Sequence, residues 1–218
     1  MLKILISFLI CFVTSKNLII IGDSRIQEMA QVLMHVQFKE YSYWRTYEYI
    51  MTENPVSYEG YYIDIIAVDK NNLRHLFEKV QPYRTVHDKL KKAKDGTSVL
   101  LSIGFENLND YNNIFVFYGK LADNYPNLKF YIISTIGVPG EDSKAINTKI
   151  IKFNDKIKER IRIVEFKNLY YKNILYDNDP TKLYNDGQVI NILDYSTDSA
   201  GFFKNGYIKI FRAMVEGL

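Results

Sequence analysis

Thiols are all but missing from this chain. Cys11 is its one cysteine, so no intrachain disulfide and no cysteine metal site can form. A chain of 218 residues needs neither, because a domain of that size buries enough apolar surface to hold itself together. No Asn-x-Ser/Thr triplet occurs, so N-linked glycosylation has no acceptor. No glycine-rich loop follows the first apolar run, which counts against a phosphate-binding protein. No apolar stretch reaches the roughly 20 residues that a membrane-spanning helix needs. Charge of one sign is not in excess either: 28 Lys and Arg face 25 Asp and Glu, a formal net charge of +3. The basic residues are scattered, and the one run, Lys89, Lys91, Lys92 and Lys94, reads as the solvated side of a helix. Nothing here calls for a nucleic-acid partner.

What the chain does have is apolar and aromatic. It is 47% hydrophobic, enough for a sizeable core, and carries 18 Tyr and 13 Phe. Sparse Ala, Gly and Pro beside abundant Tyr, Asn, Lys and Ile suggest a compositional bias without functional content. Residues 1–15 differ from the rest. Lys3 precedes the uncharged run from Ile4 to Val13, and Val13-Thr14-Ser15 offers a cleavage point. That layout is a secretory signal peptide, which predicts an exported domain spanning 16–218.

The remainder alternates apolar strands with amphipathic helices. Asn17 to Ile21 is a continuous apolar run ending at Gly22, as suits a strand buried on both faces. A helix is expected from Arg25 to Val36, with Ile26, Met29, Ala30, Leu33 and Met34 on one side. Residues 41–62, rich in Tyr and without clear period, read as a loop or irregular insertion. Further strands are expected over 62–68, 98–103, 129–134 and 162–166. Helices are expected over 73–80, 86–93, 111–125, 144–161 and 203–215. The pattern predicts a parallel sheet covered on both faces. Ligands bind such sheets at the carboxyl ends of the strands, so 22–25 and 104–109 should share one mouth.

Ile21-Gly22-Asp23-Ser24-Arg25 falls where the first strand stops and a helix starts. Gly22 permits a tight turn, and Ser24 lies at or near the helix N-terminus, where free N–H groups and the dipole favour developing negative charge. The plainer role for Ser24 is helix N-cap.

Those five residues resemble the opening block of the SGNH (GDSL-type) hydrolases, and the likeness runs over most of the chain after residue 15. Ser102-Ile103-Gly104 with its Asn-rich sequel stands where that family has its Gly-x-Asn-Asp block. Thr197-Asp198-Ser199-Ala200-Gly201, before the last helix, stands where it has Asp-x-x-His. The resemblance implies a three-layer, flavodoxin-like fold with a five-stranded parallel sheet and helices on both faces. It also implies serine ester hydrolysis, often of acyl or acetyl groups on carbohydrate or lipid. Ser24 would be the nucleophile and Asp198 the triad acid. The oxyanion donors would be Ser24, Lys70 and Asn107, supported by Gly22, Asp23, Gly104 and Glu106.

The departures are specific. Gly201 occupies the histidine position, so Asp198 has no imidazole to orient. His35, His75 and His87 are all remote in sequence; of these only His75, after the second strand, could stand in. The family's oxyanion glycine is replaced by Asp69, Lys70 or Asn71. Its third-block Asn aligns with Glu106, whose charge would repel an oxyanion; Asn107 or Asn109 could supply the amide instead. A hydrolase with damaged machinery and a non-catalytic binder of carbohydrate or protein both remain open. The Tyr41, Tyr43, Trp44, Tyr47 and Tyr49 segment offers an aromatic surface for the second reading. No metal or cofactor is expected. The substrate expected is a carbohydrate or a small ester.

Overall fold

A computed structural model describes residues 16–27, 29–30, 43–45, 49–52, 55–68, 83–105, 108–138, 143–185, 188–191 and 204–218. The sheet is built on β1, Lys16–Gly22. Leu18, Ile19, Ile20 and Ile21 are all buried, which at about 1.5–3 kcal/mol each makes this strand the anchor of the core. It pairs in parallel with β5 (Tyr61–Val68) on one side and β6 (Ser98–Ser102) on the other. Beyond β6 lie β7 (Lys129–Ile133) and β8 (Leu169–Lys172), both parallel. The parallel core therefore has the order β5-β1-β6-β7-β8, the flavodoxin-like five-stranded arrangement that the resemblance implied.

Alternation along β1 sorts the two faces. Leu18 and Ile20 pack with Ile26, Met29 and Ala30 of the first helix, α1, whose described residues are 24–27, 29 and 30. They also meet Tyr207, Phe211 and Met214 of α5 (Lys204–Val215). Ile19 and Ile21 pack with Val86 and Leu90 of α2 (Tyr83–Lys92), and with Phe117 and Tyr118 of α3 (Tyr111–Asn124). Phe153 and Ile157 of α4 (Lys144–Val164) complete that face. The result is three layers, helix–sheet–helix.

Three expectations are corrected. The 41–62 stretch is not an irregular insertion. It holds β2 (Tyr43–Arg45), β3 (Tyr49–Thr52) and β4 (Val56–Tyr58), which extend the sheet antiparallel beyond and along β5. Strands of three or four residues are too short to show alternation, yet Tyr, Trp, Ile and Thr suit extended backbone once β5 supplies partners. The β4–β5 hairpin turns at Glu59 (φ 46) and Gly60 (φ 81), the two positive φ values of a type I′ turn.

Residues 162–166 are not the fifth strand. Helix α4 continues through Val164 and ends at Glu165 in the left-handed conformation, φ 50. Ile163 and Val164 are 61% and 44% exposed, so their apolar character marks no burial. The fifth parallel strand is β8. Just before it, the Asn168 amide donates to the carbonyls of Ala122, Tyr125 and Leu128.

A second sheet was not foreseen at all. It consists of β9 (Leu175–Tyr176), β10 (Asp179–Asn185) and β11 (Gln188–Asn191). Its Leu175 and Leu183 join the α1–α5 side of the core. The expected helix at 73–80, the end of the helix expected to Val36 and the signal at 1–15 lie outside the described residues. Among the described residues no helix is long and apolar enough to cross a membrane.

Candidate functional site

The last residue of β1, Gly22, has no room for a side chain. A β-carbon there would lie 1.9 Å from Ile26 Cγ1 and 3.0 Å from the Ser102 carbonyl oxygen. Close approach of helix to strand, rather than an unusual φ, is what requires glycine. Asp23 follows, and its N–H donates to the Ser102 carbonyl at 3.2 Å, binding the end of β1 to the end of β6.

Asp23 is the N-cap of α1. Its carbonyl accepts the Gln27 N–H at 3.0 Å, and its Oδ1 accepts the Arg25 N–H at 3.2 Å. The plain role considered for Ser24 is thus taken by its neighbour. Ser24 is the first helical residue, half-buried, with its backbone N–H among the first-turn donors that no helix carbonyl can use. A hydroxyl there sits in the positive end of the helix dipole.

Asp23 also reaches across the mouth. Its Oδ2 accepts the N–H groups of Gly104 and Phe105, each at 3.0 Å. The side chain is only 2% exposed, so three backbone donors and the helix terminus take the place of water around a buried carboxylate. Gly104 has φ 137, and a β-carbon on it would lie 2.3 Å from Phe153 Cζ. Only glycine lets the loop after β6 pass between Asp23 and the Phe153 ring.

Below this junction the Tyr118 hydroxyl donates to the Ile103 carbonyl at 2.6 Å. Burial, then the negative charge of Asp23, pushes that hydroxyl far above the usual tyrosine range, so it stays a neutral donor. Above it, the Arg25 guanidinium lies 4.1 Å from the centre of the Phe105 ring. After β7, Asn154 of α4 holds Thr135 from both sides, accepting its N–H at 2.8 Å and donating to its carbonyl at 3.0 Å.

Gly22, Asp23, Ser24 and Gly104 therefore meet at the carboxyl ends of β1 and β6. Asp198, Gly201, Lys70, Glu106 and Asn107 lie outside the described residues, as do Asp69, Asn71, His35 and His75. Asn109 is exposed in the turn before α3. His87 is elsewhere: on α2, with its Nδ1 bonded to the Tyr125 hydroxyl just past α3, a packing role. Sequence reasoning missed Tyr118, Phe105 and Phe153 as parts of the mouth. Only a tyrosine on the otherwise apolar side of α3 hinted at the first. Among the described residues no group of three His, Cys, Asp or Glu is placed to hold a metal.

No protein-family profile matches the chain, and no curated protein sequence matches it. Solved structures do resemble it. One is a Streptococcus pneumoniae protein whose name refers to platelet activating factor: 16% identity, 93% of this chain and 84% of that one, TM-score 0.53. Another is Axe2, an acetylxylan esterase from Geobacillus stearothermophilus: 11% identity, 94% and 95% coverage, TM-score 0.50. Both likenesses are likenesses of fold, a three-layer α/β architecture around a parallel sheet.

Proposed function

We propose that this chain is an exported SGNH-type protein derived from a serine ester hydrolase, with Ser24 in the nucleophile position and weak turnover of ordinary esters. The carrying observation is the Asp23 junction. One buried carboxylate caps α1, sets Ser24 on its first turn, and draws in Gly104 and Phe105 of the neighbouring strand's loop. That arrangement presents a hydroxyl at a helix N-terminus, where an acyl oxyanion would be stabilised.

Weak turnover rests on the sequence. With Gly201 in the histidine position, no imidazole stands near Asp198 in the chain to take the Ser24 proton. A serine hydroxyl without a base is a poor nucleophile, and removing one triad member typically costs ~10⁴ to 10⁶ in kcat. Purified chain and its Ser24→Ala variant should therefore hydrolyse p-nitrophenyl acetate at indistinguishable rates. A Ser24-dependent rate well above that variant would show that a base exists, and His75→Ala would then be the variant to make.

Export rests on the amino-terminal signal layout. Intact-mass measurement of protein from its native source should show a mature start near Lys16. A chain beginning at Met1 or Leu2 would remove this part of the reading.

A further inference from the structure

At the opposite end of the sheet from Ser24 is a cleft of about 420 Å³ between α2 and the amino-terminal half of β1 and β5. That lies within the size range of small-ligand sites. It is some five residues back along β1 from the mouth, roughly 15 Å at strand spacing.

Among its lining residues is a charge pair. Asp64 interrupts the apolar face of β5, between Tyr62 and Ile66, and meets Lys89 of α2 there. The Lys89 and Asp64 side chains are only 14% and 17% exposed. The Thr52 hydroxyl donates to Asp64 at 3.3 Å. Two ions held this far from water gain little or nothing for stability over an apolar pair of similar volume. The fold alone does not call for them. A second polar group in the wall, the Thr97 hydroxyl oxygen, is buried with no hydrogen-bond partner among the described residues. One wall is different in kind: Tyr62, 47% exposed, stands with exposed Pro55, and the Asn17 side chain lies nearby.

The geometry points to a carbohydrate subsite in this cleft, distinct from the Ser24 mouth and selective for a neutral oligosaccharide. A carboxylate beside an ammonium suits vicinal hydroxyls, one donating to Asp64 while its neighbour accepts from Lys89. The tyrosine and proline surfaces suit the C–H face of a pyranose ring. An anionic ligand fits less well. Lys89 is already matched by Asp64, and Asp88 offsets one of the two rim cations, Lys92 and Lys94. The basic run on α2 thus contributes to a nearly neutral cleft rather than to a polyanion patch.

The test uses Ser24→Ala protein and reads binding directly, so its outcome does not depend on the reading of Ser24. Xylohexaose, cellohexaose and chitohexaose are titrated separately by calorimetry, with inorganic phosphate as the anionic control. At least one hexasaccharide should bind with Kd between about 10⁻⁵ and 10⁻³ M. Tyr62→Ala should weaken that binding by about tenfold or more, a loss of one stacking face. The double variant Asp64→Leu/Lys89→Met removes both charges together, so neither is left buried alone, and should also lose binding while melting close to the parent. The proposal is overturned if no hexasaccharide binds at about 10 mM. It is equally overturned if both variants bind as the parent does, or if phosphate binds in the cleft in preference to every sugar.

Discussion

Asp23→Ala should lower the melting temperature by roughly 10 °C, the expression of about 3–5 kcal/mol in a domain of this size. The carboxylate accepts three backbone N–H groups, from Arg25, Gly104 and Phe105. Two of these, on Gly104 and Phe105, belong to a buried and a half-buried residue, and alanine leaves them without that acceptor. The same change removes the side-chain cap of α1, worth about 1 kcal/mol on its own. Asp23→Asn separates the two contributions. Its amide oxygen can still accept from the Gly104 loop, but its NH₂ would confront the Arg25 N–H, so a loss of roughly half is expected. Thermal melts of the three proteins decide it. An alanine variant melting within about 2 °C of the parent would mean that the junction does not hold the two strands' ends together.

Gly201→His should raise the rate on p-nitrophenyl acetate by about 10²-fold or more, and the gain should vanish in the Ser24→Ala background. The physical basis is a missing proton acceptor. Asp198 stands three residues earlier, in the spacing that would orient an imidazole. Rate should rise with pH through the imidazole's own titration, because only neutral histidine accepts the serine proton. A flat response would place the defect in the oxyanion donors as well, where the resemblance puts Glu106 in the place of an asparagine. Catalysis would then be beyond recovery by one residue, and the chain would be better understood as a binding protein.

How much of this was legible in the chain depends on how local each determinant is. The buried parallel strands were legible because Leu18–Ile21, Val99–Leu101 and Phe130–Ile133 are apolar on both faces. The helices over 111–125 and 203–215 were legible through their apolar spacing, confirmed as α3 and α5 to within two residues. The strand-to-helix junction at Ser24 was legible because a strand, a glycine and a helix start follow one another within eight residues. The short strands of 43–58 were not, because they acquire hydrogen-bond partners only when β5 and β3 lie alongside. The second sheet was missed for the same reason: its hairpin turns at Asp177 and Asn178, both at positive φ, and its apolar residues gain a role only against α5.

The sequence by itself determined the three-layer class, the strand that carries the mouth, and the absence of a histidine after Asp198. Those follow from hydrophobic period and residue identity along a few consecutive positions. Tertiary structure alone decided that Asp23, not Ser24, caps the helix, and that the same carboxylate holds Gly104 and Phe105, 81 and 82 positions away. It also decided that Asp64 and Lys89 meet in the lining of a cleft. A buried charge takes its role from the donors and counter-charges that folding brings within about 3 Å, and no pattern along the chain encodes which these will be.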